Sequence, residues 1–185
     1  MHKTLTLALL ALVTITGAAA AADIGVGAYG GVNIPVLNDL SEQGSEFGAR
    51  VPVKLSSMFT VEPWYGSSSL GDVDETFGSN SYTRDGGDLT SFGANVLFTF
   101  GQPSFQFFPF AGIGSYKIER ESAEEISDMG WSFGLGVGFA PMPKLNLNLR
   151  GELDMVVTDE TSQKFGKITA GAAYTIFSTP APSTP

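Results

Sequence analysis

The sequence LNLNLRGELDM, residues 145–155, alternates strictly between apolar and polar side chains. One face would carry Leu145, Leu147, Leu149, Leu153 and Met155, and the other Asn146, Asn148, Arg150, Glu152 and Asp154. A period of two predicts a β-strand that is apolar on one side only. In a soluble sandwich or barrel the leucines would face a core and the charges would face water. In a membrane barrel the leucines would face lipid and the charges would face the lumen.

Residues 1–22 are predicted to form a secretory signal peptide. Lys3 precedes the apolar run LTLALLALVTITG, which is followed by AAAAAD with several small-x-small cleavage sites. We place cleavage after Ala22, and the remainder is long enough for one domain. An uncleaved transmembrane anchor would need about 20 apolar residues, more than this run supplies. Because the chain has no Cys, lipoprotein anchoring and disulfides are excluded.

The charge and hydropathy of the chain exclude further classes. It carries 10 Lys and Arg against 19 Asp and Glu, a formal charge of −9, and Lys3 lies in the predicted leader. This acidic balance argues against binding nucleic acid or anionic lipid through a basic patch. After residue 22 no apolar run is long enough for a spanning helix, so any membrane span must consist of strands.

Eight alternating segments follow the leader and predict eight strands. They are residues 23–34, 47–55, 58–65, 89–100, 104–118, 130–140, 145–155 and 167–177. The fifth is apolar on both parities, so its register stays open. In the sixth, Trp131 and Phe133 begin an apolar face that alternates with Ser132 and glycines. Inside a narrow barrel, glycines at such positions would make room for Arg150, Trp64 or Tyr29.

Short and long connections alternate along the chain. The short ones lie around residues 56–57, 101–104 and 141–144, and the long ones are 37–46, 66–88, 119–129 and 157–163. All long loops then lie at one end, and the even strand number returns both termini to the other. Aromatic residues near both ends of the apolar face resemble two interfacial girdles. The sequence therefore predicts an all-β protein, an eight-stranded antiparallel up-and-down transmembrane β-barrel.

Seven charged side chains are predicted to point into the lumen: Arg50, Lys54, Glu62, Arg150, Glu152, Asp154 and Lys167. We expect Lys54 opposite or diagonal to Glu62, and Lys167 opposite Asp154 or diagonal to Glu152. Since buried charges must be paired, we interpret the set as a plug that stabilises the barrel. An ion pathway is the alternative interpretation.

The last strand carries the pattern polar-x-Gly-x-x-aromatic-x-apolar at Thr169, Gly171, Tyr174 and Ile176, and Phe177 closes it. With this strand, residues 23–177 resemble the small eight-stranded outer-membrane barrels of the OmpA, OmpX and opacity-protein type. The resemblance implies that the chain lies in the cell outer membrane, contacts its lipid, and presents this strand to the outer-membrane assembly machinery. The Pro-rich tail, residues 178–185, is a departure from the family, because in OmpA-like proteins a Pro-rich linker leads to a peptidoglycan-binding domain. That anchoring function is not expected here, because the sequence stops at the tail.

No catalytic, cofactor or metal site is predicted. The acidic stretches 72–75 and 121–125 lack the spacing of a calcium loop. The barrel enzymes of the outer membrane that resemble this size class depend on a histidine, whereas His2 is the only one here and lies in the leader. Three hypotheses remain: a non-enzymatic outer-membrane barrel that supports the envelope or presents acidic loops to an extracellular partner, a narrow channel for ions or small solutes, and a secreted soluble β-barrel that binds an apolar ligand.

Overall fold

The computed structural model describes residues 23–36, 42–77, 80–84, 86–102, 104–119, 126–157 and 162–179. The predicted signal peptide and the tail beyond Thr179 lie outside these residues. The strands are β1 (Asp23–Val36), β2 (Glu42–Arg50), β3 (Val53–Lys54), β4 (Phe59–Gly71), β5 (Val73–Phe77), β6 (Asn80–Arg84), β7 (Asp88–Phe98), β8 (Phe100–Gln102), β9 (Phe105–Glu119), β10 (Ile126–Met142), β11 (Leu145–Val156) and β12 (Gln163–Ser178).

The main sheet closes on itself as an eight-stranded antiparallel barrel. The second barrel strand comprises β2 and β3, and the other seven are β1, β4, β7, β9, β10, β11 and β12. The closing seam joins β1 to β12 from Asp23 opposite Ser178 to Val36 opposite Lys164. This confirms the predicted eight-stranded up-and-down barrel.

The described residues include no helix of sufficient length and apolarity to cross a membrane.

The apolar faces of the strands point outwards and the polar faces inwards. Leu149 is 52% exposed on β11, and Ile168 on β12 is equally exposed. Asp154 and Lys167, on the opposite faces of the same strands, are buried. A soluble barrel with its leucines inside would show the reverse. The alternation in residues 145–155 therefore belongs to a barrel whose outer surface is hydrocarbon-like.

The strand β4 extends beyond the length predicted from its apolar pattern. The predicted loop 66–88 is wrong, since β4 continues to Gly71 and the following residues form the separate two-stranded sheet of β5 and β6. The run Ser67–Ser69 pairs with β7 residues from Thr90 to Asp88. Serine on both faces gives no hydrophobic alternation, so the apolar pattern ends before the strand does.

The structure gives the register of the fifth barrel strand, β9. Its lumen face carries Phe108, Phe110, Tyr116 and Ile118, all buried, whereas Phe105, Phe107 and Ile113 are exposed. Both faces are apolar because the inner face supplies much of the apolar filling of the barrel. This is why β9 shows no alternation between polar and apolar residues.

The short turns have local causes. Ser56 Oγ accepts hydrogen bonds from the backbone N–H groups of Met58, at 3.3 Å, and Phe59, at 3.1 Å. Gly101 has a φ of 101°, a backbone conformation that favours glycine, and lies in the short strand β8, which connects β7 to β9. Both turns lie at the end of the barrel that holds the termini, which we call the short-turn end; the opposite end is the long-loop end.

Candidate functional site

The lumen contains two buried ionic clusters. The lower cluster, towards the short-turn end, joins Arg50, Glu62 and Arg150. Arg150 donates to Glu62 through Nη1–Oε1 at 2.5 Å and Nη2–Oε2 at 2.9 Å, and Arg50 Nε lies 3.9 Å from the same Oε1. All three side chains are buried. Two guanidinium groups thus share one carboxylate, which leaves this cluster with an excess of positive charge.

Neutral groups complete the lower cluster. Arg50 donates to Thr169 Oγ1 at 3.0 Å and to Asn148 Oδ1 at 3.3 Å, and Arg150 Nε donates to the same Oδ1 at 3.2 Å. The Arg50 guanidinium lies 3.8 Å from the centre of the Tyr29 ring. Such cation–π and amide contacts replace part of the hydration that both arginines lose on burial.

The upper cluster, towards the long-loop end, centres on Lys167. Its Nζ lies 2.9 Å from Glu46 Oε1 and 2.9 Å from Asp154 Oδ2. Glu46 Oε2 also accepts hydrogen bonds from Ser68 at 3.0 Å and Asn33 at 3.4 Å. Glu46 therefore has two further hydrogen-bond donors, whereas Asp154 has the Tyr116 hydroxyl beside its ion pair with Lys167.

Five of the seven predicted lumen charges lie in these clusters and two do not. Lys54 is half-buried and diagonal to Glu62 across the β3–β4 pair, but makes no ion pair within the described chain. Glu152 is half-buried and lies directly opposite Lys167. We expected Lys167 opposite Asp154 or diagonal to Glu152, and this register is wrong: Asp154, two residues after Glu152, is diagonal to Lys167. The long loop between β11 and β12 does not determine the register of the pair.

The sequence analysis did not predict that Glu46 faces the lumen. It was assigned to the loop 37–46, whereas β2 begins at Glu42 and turns Glu46 inwards. Glu46, Gly48 and Arg50 share one parity, and extending the alternation of β2 backwards would have found it. Phe47 is the first apolar residue of this alternation, which is why the predicted strand begins there and not at Glu42.

An apolar cluster fills the lumen beside and beyond Lys167. It consists of the buried side chains of Trp64, Leu70, Leu89, Tyr116, Ile118, Val156 and Phe165. The Lys167 ammonium lies 5.7 Å from the centre of the Trp64 ring. Leu70, Leu89 and Val156 are within two residues of the long-loop ends of their strands. We call this group the apolar cap, because it occupies the lumen between the ionic clusters and the long-loop end.

The lumen glycines of β10 make room for phenylalanines. A Cβ on Gly134 would overlap the Phe110 ring, and one on Gly136 would overlap the Phe108 ring. The prediction that they accommodate Arg150, Trp64 or Tyr29 is therefore wrong. The Trp64 ring instead lies against Gly93 and Gly114, and the Tyr29 ring against Gly48. The open register of β9 had hidden the two phenylalanines.

The residues of the predicted assembly signal divide between the two faces of β12. Tyr174, Ile176 and Phe177 are exposed on the outside. Thr169 is buried and accepts the hydrogen bond from Arg50, and Gly171 faces the Tyr29 side chain. Of the acidic stretches, 121–125 lies outside the described residues. In the described ranges, no three His, Cys, Asp or Glu residues are grouped to hold a metal ion.

A cavity of about 270 Å³ lies below the lower cluster, at the short-turn end. Arg150, Glu62 and Phe108 lie at its inner wall, and the exposed residues Pro143 and Lys144 lie at its mouth. The lumen is therefore packed towards the long-loop end and hollow towards the short turns.

Known structures share this architecture. Neisserial surface protein A aligns with 84% of this chain and 97% of its own, at a TM-score of 0.61 and 15% identity. The attachment invasion locus protein Ail of Yersinia pestis, in complex with the heparin analogue sucrose octasulfate, aligns over 83% and 97%, at 0.53 and 16% identity. The N-terminal β-barrel domain of Pseudomonas aeruginosa OprF aligns over 82% and 97%, at 0.52 and 15% identity. At these identities the likeness concerns the fold.

The sequence itself supplies the family. Comparison with curated proteins gives no significant match. The sequence model of the family described as outer membrane protein beta-barrel domain matches residues 5–175, nearly the whole chain. With its closed eight-stranded barrel and outward apolar faces, the chain belongs to this outer-membrane β-barrel family and is a protein of the cell outer membrane.

Proposed function

We propose that the protein is a non-enzymatic outer-membrane barrel with a closed lumen, which contributes to envelope structure and presents acidic surface loops. One observation carries the closed lumen: two ionic clusters and the apolar cap are stacked along the axis. An eight-stranded barrel is only just wide enough for its interior side chains. Buried ion pairs next to aromatic rings leave little room for a continuous water path.

The acidic long-loop end supports a role in surface interactions. In such barrels the long loops are extracellular and the short turns periplasmic. Asp72, Asp74, Asp88 and Glu119 lie at this end, and the β5–β6 hairpin extends from it as a sheet of its own. Ail was crystallised with a heparin analogue, a polyanion. The acidic ends of this barrel favour a cationic partner instead, because like charges repel.

The non-enzymatic assignment follows from the residue types available. His2 is the only histidine and precedes the barrel. The buried carboxylates Glu46, Glu62 and Asp154 are engaged with Lys167 or the arginines. Acid–base chemistry needs a group that reaches a substrate, and these carboxylates are committed to neighbouring cations inside the wall of strands.

Conductance measurements test the closed lumen against the channel hypothesis. We expect the refolded protein to show no steady conductance across a planar bilayer. Replacing cap side chains, as in Phe165→Ala with Tyr116→Ala, should increase ion leakage, because it removes two of the largest buried rings. Steady conductance of the unmodified barrel that the cap substitutions leave unchanged would overturn the proposal.

A further inference from the structure

The cavity at the short-turn end has an unusual charge for this chain. Three of the ten Lys and Arg line it, namely Lys54, Lys144 and Arg150, but only two of the nineteen Asp and Glu, Asp23 and Glu62. Carboxylates outnumber cations almost two to one in the whole sequence. In the cavity lining the cations outnumber the carboxylates by three to two, so its positive character does not follow from composition.

The carboxylates near the cavity do not balance its cations. Glu62 accepts hydrogen bonds from Nη1 and Nη2 of Arg150 and lies 3.9 Å from Nε of Arg50, so its one negative charge is shared by two guanidinium groups. Asp23 lies opposite Lys54 in the β1–β3 register, but no ion pair joins them. Lys54 and Lys144 make no ion pair within the described ranges of the chain. Among the charges that line the cavity, Arg150 and Glu62 are paired with each other, so Lys54 and Lys144 are left with Asp23 as the only other carboxylate of the lining.

The remaining wall supplies neutral hydrogen-bonding groups. Asn148 uses its Oδ1 for the two arginines, which leaves its Nδ2 as a donor beside the cavity. Thr60, Thr99 and Thr175 contribute hydroxyl groups to the lining. Ammonium, guanidinium, amide and hydroxyl donors around one space are the groups that bind phosphate oxygens.

Size and access agree with a small ligand. At roughly 30 Å³ of liquid per water molecule, the cavity has room for about nine waters or one phosphate with part of its hydration. The exposed Lys144 and Pro143 mark the open side, and the apolar cap closes the far side of the lumen. The cavity is thus a dead end that is reached from the periplasmic side.

We propose that this cavity is a binding site for a phosphate-type oxyanion, in which Lys54 and Lys144 neutralise the ligand and Asn148 and Arg150 form its inner wall. The ligand would be a free phosphate from the periplasm or the phosphate of a phospholipid headgroup at the barrel rim. The site requires no conduction through the lumen, so it stands independently of the closed-barrel proposal.

Titration of the refolded barrel tests this site. In an uncharged detergent at constant ionic strength, inorganic phosphate is titrated while calorimetry or amide chemical shifts are followed, with chloride as the reference anion. We expect saturable phosphate binding that Lys54→Met and Lys144→Met each weaken about tenfold, because each removes a charged donor. Lys54→Arg should retain binding. Lys164→Met removes the same charge at the long-loop end of β12 and should leave the affinity unchanged.

A parallel titration with phosphatidylglycerol dispersed in the same detergent identifies the source of the phosphate. Binding of inorganic phosphate that is sensitive to Lys54→Met supports a free ligand, and equally sensitive binding of the lipid alone supports a headgroup. Electrophoretic mobility of unheated samples verifies that each variant is folded, and Lys144→Met, at an exposed turn, keeps the test open if Lys54→Met misfolds. Absence of saturable binding to either probe, or equal weakening by Lys164→Met, would overturn the proposal.

Discussion

Asp154 and Glu46 hold the same ammonium group but differ in what else they contact. Glu46 accepts from Ser68 and Asn33, whereas Asp154 has the ion pair with Lys167 and, beside it, the Tyr116 hydroxyl. Removing one partner of a buried pair leaves an uncompensated charge, whose cost depends on the remaining donors. The two carboxylates should therefore respond differently to the loss of Lys167.

Lys167→Met should lower the free energy of unfolding by about 3–5 kcal/mol. Adding Asp154→Asn should recover more of this loss than adding Glu46→Gln, since Glu46 keeps the hydrogen bonds from Ser68 and Asn33. Urea titrations of the refolded barrel in lipid vesicles measure these values as two double-mutant cycles. If Lys167→Met alone proved harmless, the lumen would contain enough water to screen the charge, and the proposal of a closed lumen would be contradicted.

Leu149 tests the outward orientation of the apolar face. It lies midway along β11, opposite Val137 and Ala170, and half of its side chain is exposed. Leu149→Arg should cost about 2–4 kcal/mol, because it places a charge near the bilayer midplane. Met129→Arg, also on the outer face but near the long-loop end, should cost about 0–1 kcal/mol. Refolding titrations into vesicles compare the two, and equal costs would contradict the assigned membrane depth.

At the scale of strands, β9 and β10 pack together because large side chains on β9 lie opposite glycines on β10. Phe108 and Phe110 project from β9 across the positions of Gly136 and Gly134. In so narrow a barrel both rings can be buried only because the facing strand contributes no side chain. The glycine alternation of β10 is thus the complement of the aromatic content of β9.

Gly136→Val should destabilise the barrel by about 1–3 kcal/mol, because the added carbons overlap the Phe108 ring. Gly151→Val is the matched control: it lies on the outer face of β11, where an added Cβ meets no atom within 4 Å. Phe108→Leu should rescue part of the loss in Gly136→Val. Thermal or urea unfolding of Gly136→Val, of Gly151→Val and of the Gly136→Val, Phe108→Leu double variant measures these costs. An equal cost for both valines would show that β-propensity and not packing governs these positions.

For the whole molecule, the seam between β1 and β12 completes the barrel and also exposes Tyr174 and Phe177. The predicted role of these aromatics in recognition by the assembly machinery concerns a step before closure, whereas their role in the girdle concerns the finished barrel. Measurements in cells and on refolded protein separate the two.

Tyr174→Ser with Phe177→Ser should reduce the amount of folded protein in the outer membrane of cells more than it reduces refolded stability. Phe47→Ser with Tyr65→Ser removes two exposed aromatics from the other girdle and serves as the control. Membrane fractionation gives the cellular yield and urea titration gives the stability. Equal losses of yield in both variants would show that Tyr174 and Phe177 act as girdle residues only.

Much of the architecture was predictable because it depends on local patterns. Strict alternation in β11 and β12 indicates strands and assigns Arg150, Asp154 and Lys167 to one face, and the alternation of short and long connections indicates an up-and-down barrel. These inferences need only neighbouring residues. The same reasoning placed five charges inside that the structure brings into two clusters.

What only the tertiary structure decided is which inward residues meet. Long loops do not determine register, so Glu152 and not Asp154 lies opposite Lys167, although the predicted Lys167–Asp154 ion pair does form. Glu46 was assigned to a loop. The two-sided apolar pattern of β9 concealed Phe108 and Phe110, whose places depend on Gly136 and Gly134 in the adjacent strand. Closure of the barrel brings together strands distant in sequence, such as β2 and β12, and contacts across a lumen leave no periodicity in either. A chain determines locally which way each side chain points, but the volume shared by eight strands determines what it touches.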